Sequence, residues 1–168
     1  YFMAYYNTVF RYGTQRFCRD AKAAGAAGLI VPDMALDEES EEHFISNCVK
    51  FGLHNIQVIS PASTPERLKK NAAVASGFVY ATARQGITGA KNTLDPRLRV
   101  YLKKVKEYFS IPVAVGFGIS KKEHITALTG HADIAVMGSA IIDVISKSKP
   151  EMYTKDVQKF LTSALTEH

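Results

Sequence analysis

The stretch VAVGFGIS, residues 113–120, decides how the rest of the chain is interpreted. Small and branched apolar residues lead directly into Gly116-Phe117-Gly118, and Ser120 then opens the polar segment SKKEH. Short, near-continuous apolar runs are typical of strands that are buried on both faces of a parallel sheet. Glycine directly after such a strand allows a tight turn, and it also lets backbone N–H groups approach a ligand closely. The stretch therefore predicts the end of a buried strand that carries either a packing turn or a ligand site.

Five further stretches repeat this pattern of an apolar run followed by a helical periodicity. Such alternation with short connections predicts βαβ units and a parallel sheet. Six units suit a doubly wound open sheet, whereas a complete (β/α)8 barrel needs eight units and typically about 250 residues. The pattern alone leaves both architectures open, and the lack of an internal linker predicts a single domain over 1–168. The predicted strands are YFMAYY (1–6), GLIVPD (28–33), HNIQVIS (54–60), GFVYATA (77–83), IPVAVG (111–116) and ADIAVMG (132–138). The predicted helices lie near 14–25, 38–52, 64–75, 95–109, 121–130, 139–148 and 151–165, with Thr64 as an N-cap before Pro65.

The charge distribution favours a solvated surface over a nucleic-acid interface. The 168 residues carry a net charge of +5, but the basic side chains are scattered over predicted helices and match no nucleic-acid motif. An anionic ligand is the alternative interpretation. No apolar stretch reaches the about 18 residues of a membrane span, and no signal peptide is visible, so we expect a cytoplasmic protein. Tyr1 begins the chain inside an apparent strand, which predicts that the natural N-terminus lies upstream.

The cysteines and histidines do not have the spacing of a metal site. Cys18 and Cys48 each fall within an amphipathic helical pattern, which predicts buried or half-buried, reduced thiols. The five histidines are dispersed along the chain, so no metal is expected.

The sequences GFGIS and GSAI follow the last two predicted strands and share one property. Each places glycine where a strand opens into a helix, whose first N–H groups and positive dipole end suit a phosphate. Ser139 adds a hydroxyl donor, and phosphate sites built from the last two strand ends are common in barrels. The alternative is that these glycines only make packing turns. SKKE at 120–123 also matches a capping box, which predicts Ser120 as the cap of the next helix.

Three other strand ends carry candidate groups with two interpretations each. The loop over 84–94 contains Gly86 and Gly89 and is either a lid over the ligand or a surface connection. Tyr80 either faces the site or belongs to the core. Asp33 follows GLIVP and is either a catalytic acid or a carboxylate that starts a helix.

Taken together, five motifs closely resemble those of the α subunit of tryptophan synthase, in the order and spacing of that family. They are MAYYN (3–7) with FRYG, AGAAGLIVPD (24–33), GFVYATARQGITGA (77–90), PVAVGFGIS (112–120) and DIAVMGSAII (133–142). The resemblance implies an α/β fold of the (β/α)8 barrel family with six of the eight units present, strands three to eight. It also implies a lyase that cleaves indole-3-glycerol phosphate by a retro-aldol reaction to indole and glyceraldehyde 3-phosphate. No cofactor is implied, and the expected partner is a pyridoxal-phosphate β subunit in an α2β2 complex.

The same resemblance assigns roles to individual residues. Tyr80, Arg84 and Thr88 support catalysis, with Arg84 and Thr88 in the loop that closes over substrate. Asn7 and the 84–93 loop face the β subunit. Phosphate binding is implied for Gly89, Phe117, Gly118, Val136, Gly138 and Ser139, and an apolar wall for indole is implied for Phe2, Ile30, Pro32, Ile59 and Tyr80.

The catalytic glutamate and aspartate of the family match no residue of this chain, because they lie on the first two strands. Asp33 resembles a position near the β-subunit contact, not that pair. We therefore expect these 168 residues to be inactive alone, and to self-associate because six of eight strands leave two open edges. Two alternatives stay open: a non-catalytic α-type regulator of a β subunit, and another phosphate-binding barrel enzyme. The latter would carry lysine or aspartate at the positions of Tyr80 and Ile59.

Overall fold

A six-stranded sheet organises the chain in the computed structural model, which describes residues 1–82, 87–88, 93–116 and 118–165. The order of strands is β1-β2-β3-β4-β7-β8, and the pairs β1–β2, β2–β3 and β7–β8 are parallel. These six strands are the six predicted from apolar runs, each shorter than its run. The strands are β1 (Phe2–Met3), β2 (Gly28–Ile30), β3 (His54–Ile59), β4 (Val79–Thr82), β5 (Ile87–Thr88), β6 (Thr93–Leu94), β7 (Val113–Gly116) and β8 (Ile134–Val136).

The helices follow the strands in the predicted alternation. Thr64 caps its helix as predicted, because its hydroxyl accepts a hydrogen bond from the Arg67 N–H at 3.2 Å. Short 3-10 turns at Leu36–Glu38 and Pro150–Met152 precede two of the helices. The α-helices are α1 (Tyr6–Tyr12), α2 (Thr14–Ala23), α3 (Glu39–Glu42), α4 (Phe44–Lys50), α5 (Pro65–Val74), α6 (Pro96–Tyr108), α7 (Lys122–Leu128), α8 (Ser139–Lys147) and α9 (Tyr153–Leu165).

The chain divides into two compact units, and the prediction of one domain over 1–168 stays a prediction. The first unit comprises 1–80 and 105–113, and the second comprises 81–104 and 114–168. In the first unit, apolar side chains of β2 pack against α1, α2 and α4 in a cluster that includes both cysteines. Cys18 and Cys48 are fully buried and free, as the sequence predicted. In the second unit, the largest contributions to the core come from Leu102, Val115 and Ile119.

Helix α1 lies where the sequence predicted the end of a strand and a loop. Its start is stabilised from a distance, because the Asp33 carboxylate accepts a hydrogen bond from the Tyr6 N–H at 2.8 Å. The Tyr6 hydroxyl also donates to Glu42, and the fully buried Val9 anchors the helix on the core. These contacts come from residues 27 and 36 positions away, so local periodicity could not reveal the helix.

The helix predicted near 38–52 is interrupted at His43, which adopts a left-handed conformation with φ of 52°. The Glu39 carboxylate then accepts hydrogen bonds from the N–H groups of Ile45 and Ser46 at 2.7 and 2.8 Å. Because Glu39 accepts hydrogen bonds from free N–H groups in the first turn of α4, this short helix has its own cap.

Two other local predictions differ from the structure. Ser120 is not the cap of the following helix, since α7 begins at Lys122 with Lys121 at the N-cap position and no side-chain cap. The Ser120 N–H instead donates to His124 Nδ1 at 3.2 Å. The segment predicted as a loop contains an antiparallel strand pair, in which Ile87 is opposite Leu94 and Thr88 is opposite Thr93.

Candidate functional site

The carboxyl ends of β7 and β8 lie side by side in the second unit. The parallel register pairs Gly116 with Val136 at the last position of each strand. Gly118 and Gly138 each follow two residues after this last pair along the chain. Adjacent strands are about 4.8 Å apart. The predicted residues Gly118, Val136 and Gly138 thus lie at or just after the carboxyl ends of two neighbouring strands.

The N-terminus of α8 supplies hydrogen-bond donors at this edge. Gly138 is the N-cap residue, its position carries no side-chain cap, and Ser139 is the first helical residue. The first N–H groups of a helix have no intrahelical partners, and they carry the positive end of the helix dipole. Gly138 and Ser139 are both exposed, so an anion can reach this helix end.

The space in front of both glycines is open. A Cβ atom added at Gly118 or Gly138 would meet no heavy atom within 4 Å. Gly118 has a φ of +46°, a left-handed conformation that glycine adopts without strain. The open space leaves room for a ligand, while the left-handed φ of Gly118 also fits a tight turn, so both interpretations stay open for Gly118.

The apolar residues predicted to contact indole lie in the first unit, where strand register sorts them by face. Met3 is paired with Ile30, and Ile30 with Ile56, whereas Phe2 is paired with Leu29. Paired residues of parallel strands point to the same face, and successive residues alternate. Met3 therefore shares the face of Ile30, and Phe2 shares the face of Leu29, which packs against the helices.

Met3 is thus a candidate that sequence reasoning missed. Periodicity along β1 alone could not indicate it, because the register between β1 and β2 decides which residue shares the face of Ile30. Phe2 and Met3 are exposed to 44% and 57%, Ile30 and Ile59 are buried, and Pro32 is exposed.

Tyr80 lies in β4 between the fully buried Val79 and Ala81. Its own side chain is half-buried, and this burial raises the pKa of its phenol above the ordinary value. Tyr80 therefore stays a neutral hydroxyl donor at physiological pH.

Asp33 takes the second of its two predicted roles in this structure. Its carboxylate caps α1 through the Tyr6 N–H, and it is exposed. Arg84, Gly89 and Phe117 lie outside the described residues, and Thr88 is described only as part of β5. Within the described ranges, no group of three or more His, Cys, Asp or Glu side chains is placed to hold a metal ion. In the same part of the chain, no helix is both long and apolar enough to cross a membrane.

The family described as "Tryptophan synthase alpha chain" matches residues 1–167. This chain belongs to the tryptophan synthase alpha chain family. The α chain of Desulfotalea psychrophila is 45% identical over 150 residues, covering 89% of this chain and 58% of the relative. That of Methanocaldococcus jannaschii is 40% identical over 160 residues, covering 95% and 56%. The present α-type chain therefore spans less than two thirds of the length of these relatives.

A solved structure of the tryptophan synthase a2b2 complex from Pyrococcus furiosus is similar to this chain with a TM-score of 0.87 and 32% identity. The match covers 97% of this chain and 65% of the other. The prediction of an α/β fold of the (β/α)8 barrel family, with six of eight units corresponding to strands three to eight, is confirmed. The doubly wound sheet is excluded as the architecture.

Proposed function

We propose that this chain forms the phosphate-binding part of an α chain that cleaves indole-3-glycerol phosphate to indole and glyceraldehyde 3-phosphate. The observation that carries the proposal is the register of β7 and β8, which pairs Gly116 with Val136 at the strand ends, two residues before Gly118 and before Gly138, the N-cap residue of α8. Two backbone segments and a helix N-terminus then converge on one anion. The match of residues 1–167 to the family supports the identity of the substrate.

In this proposal the phosphate accepts hydrogen bonds from the N–H groups of Gly118, Gly138 and Ser139, and from the Ser139 hydroxyl. Gly89 completes the phosphate site, and Phe117 and Val136 line it. The indole ring packs against apolar side chains, while Tyr80 lies beside the glycerol group and donates from its neutral phenol. Thr88 and Arg84 belong to the loop that covers the substrate. The apolar wall comprises Ile30, Pro32, Ile59 and Met3, with Met3 in place of Phe2 because of the strand register.

The retro-aldol cleavage needs acid–base groups that the residues named so far do not supply. The retro-aldol step protonates the indole carbon, takes a proton from the glycerol hydroxyl and stabilises positive charge on the indole nitrogen, which is work for two carboxylates. The resemblance assigns that pair to the first two strands of the barrel, which these 168 residues do not match. We therefore propose that the chain as given binds phosphorylated ligand but does not release indole, and that no cofactor participates.

The proposed macromolecular partner is a tryptophan synthase β subunit, with neither nucleic acid nor membrane involved, and the proposed location is the cytoplasm. The similar Pyrococcus furiosus structure is of an a2b2 complex. Asn7, assigned by resemblance to the side that faces the β subunit, lies on α1 close to Phe10, which is 60% exposed. An exposed aromatic side chain beside a polar one is typical of an interface residue.

Substitutions at Gly138 test the phosphate site. Aspartate is a favourable N-cap residue, so Gly138→Asp should preserve or slightly raise the thermal midpoint of unfolding while its charge repels phosphate. Isothermal titration with glycerol 3-phosphate should show at least tenfold weaker binding than for the parent chain, and glycerol serves as the uncharged ligand control. Gly138→Asn, of equal size but neutral, should lose less affinity than the aspartate variant.

Two results would contradict the proposal. Equal affinity of all three proteins for glycerol 3-phosphate would place the phosphate site elsewhere. Indole release from indole-3-glycerol phosphate by the 168-residue chain alone would show that the required carboxylates are already present. If phosphate binds but the chain activates a β subunit and never cleaves substrate in any assembly, the non-catalytic regulator becomes the better assignment.

A further inference from the structure

The segment between β7 and α7 is held at two points directly after Gly118. Ile119 is buried in the core, with 2% of its surface exposed. The Ser120 N–H donates a hydrogen bond to His124 Nδ1 at a distance of 3.2 Å. These residues all lie within the second unit. The backbone that follows Gly118 is therefore restrained by one apolar side chain and by one hydrogen bond to a histidine ring.

The histidine ring reaches back from the first turn of α7. His124 is the third residue of this helix, which begins at Lys122. In a capping box, the side chain at this position accepts a hydrogen bond from the N–H of the N-cap residue. Here the N-cap residue is Lys121, and the ring accepts instead from Ser120, one residue earlier. The bond therefore joins the helix to the segment that carries Gly118.

This hydrogen bond requires a neutral ring. A neutral imidazole accepts at one of its nitrogens, whereas a protonated imidazole donates from both and cannot accept. Histidine rings ordinarily take up a proton between about pH 5 and 8. An amide oxygen in the same place would accept at every pH in this range. The restraint on Ser120 should therefore weaken on acidification because the acceptor is a histidine.

We propose that His124 is a positioning residue for the phosphate site, whose neutral ring holds the Ser120 N–H and so keeps the Gly118 N–H directed at the phosphate. Gly118 has no side chain to fix it, and its φ of +46° is only one of the conformations open to glycine. Its orientation must therefore be set by its neighbours. His124 contacts no ligand atom and acts only through Ser120. The inference rests on the proposed function, which assigns the Gly118 N–H to the phosphate.

The elements packed against α7 are α9 and β6, and β6 (Thr93–Leu94) has no titratable side chain. Carboxyl and ammonium side chains ordinarily keep their charge between about pH 5.5 and 8. The ring of His131, beyond the other end of α7, and the ligand phosphate belong to classes of group that titrate in this range. Both are the same in the parent and in the two His124 variants compared below. The charged side chains on α7, at its N-cap and on α9 are Lys121, Lys122, Glu123, Lys155, Asp156 and Lys159.

Two substitutions of nearly equal shape test the proposal. His124→Asn carries an oxygen at the side-chain position of Nδ1 and still accepts, whereas His124→Leu has no acceptor. In isothermal titration at about pH 8, His124→Leu should bind glycerol 3-phosphate about fivefold more weakly than the parent, the scale of one lost hydrogen bond, and His124→Asn should stay within about twofold. Between about pH 8 and 5.5, the dissociation constant of the parent should rise about fivefold relative to that of His124→Asn. The matched control His131→Leu should bind as the parent does at about pH 8.

Thermal unfolding followed by circular dichroism separates positioning from a purely structural role. A lower midpoint for His124→Leu with unchanged affinity would make His124 only a helix cap and overturn the proposal. An affinity of the parent that rises relative to His124→Asn on acidification would also overturn it, because the ring would then attract the phosphate by its charge. Weak binding by Gly138→Asp with equal binding by the parent and both His124 variants would leave the phosphate site in place and contradict only this inference. No binding of glycerol 3-phosphate by the parent would contradict the proposed function, and the positioning role with it.

Discussion

A methyl group added at Gly28 would meet the neighbouring strand rather than open space. An ideal Cβ atom at this position lies 2.6 Å from the His54 carbonyl oxygen, 2.7 Å from the His54 Cβ and 2.8 Å from the Tyr1 Cε1. Two of these three atoms belong to the backbone or Cβ of β3, which is paired with β2 at that residue. The strands must therefore move apart locally if alanine replaces Gly28.

The expected destabilisation follows from two opposing effects. Overpacking of a well-packed site costs roughly 1–3 kcal/mol, while alanine stabilises by about 0.4–1 kcal/mol through the lower entropy of the unfolded chain. Because the close contacts involve paired strands, we place Gly28→Ala near the upper end of the cost and expect a net loss of about 2 kcal/mol. For a chain of this size, the thermal midpoint should fall by about 4–8 °C.

Urea unfolding followed by circular dichroism measures this change, with Gly138→Ala as the matched control. A Cβ at Gly138 meets no atom within 4 Å, so this control should show no overpacking cost and should lose at most the roughly 1 kcal/mol by which alanine is the poorer N-cap residue. Adding Tyr1→Ala to Gly28→Ala should recover less than half of the loss, since the two contacts with His54 remain. A change of less than about 0.5 kcal/mol for Gly28→Ala, the scale of ordinary surface substitutions, would refute this account of the strand packing.

Three further substitutions test the capping and hydrogen-bond assignments. Thr64→Ala should lower the free energy of unfolding by about 1 kcal/mol, measured in urea, because it removes the cap of α5. Hydrogen bonds from Arg97 hold the pKa of Asp95 below its usual range. This stabilisation is present above the ordinary carboxyl pKa and is lost as pH falls through the pKa of Asp95 in the folded chain. The difference in free energy of unfolding between the parent and Asp95→Asn should therefore become smaller on acidification. Burial and the bond to Glu42 raise the pKa of Tyr6 to about 12. Stability from this group is complete below the ordinary tyrosine pKa and is lost as pH rises through about 12, so Tyr6→Phe should flatten the alkaline decline in circular dichroism. An unchanged pH profile in either variant would contradict the corresponding assignment.

The sequence was most informative where one physical cause dominates. Apolar runs revealed the six parallel strands, since burial on both faces leaves little choice of residue. It failed at α1, whose start depends on Asp33 in a different part of the chain. At β1 the sequence could not show which side chains share a face, because only the pairing of Phe2 with Leu29 reveals it, and the place of Phe2 in the indole wall stays a prediction.

The candidate phosphate site was predictable for a related reason. Glycine at Gly118 and Gly138 stands out in sequence when a strand leads directly into a helix. The capping pattern at Ser120 gave a wrong prediction. The serine is followed by glutamate three residues later, as in a capping box, but its N–H donates to the His124 ring instead. A local motif shows which hydrogen bonds are available, and tertiary contacts decide which of them form.

The two fully buried cysteines of the first unit allow the opening of its core to be measured by thiol modification. Cys18 lies on α2 and Cys48 on α4, two helices that pack together, and the chain contains no other cysteine. The hydrogen bond to Cys18, together with burial, raises the pKa of the Cys48 thiol above its usual range, which keeps it unreactive while the core is closed. A thiol reagent can therefore modify this thiol only during transient separation of α2 and α4. When opening and closing are fast relative to modification, the labelling rate measures the free energy of that opening without any engineered probe.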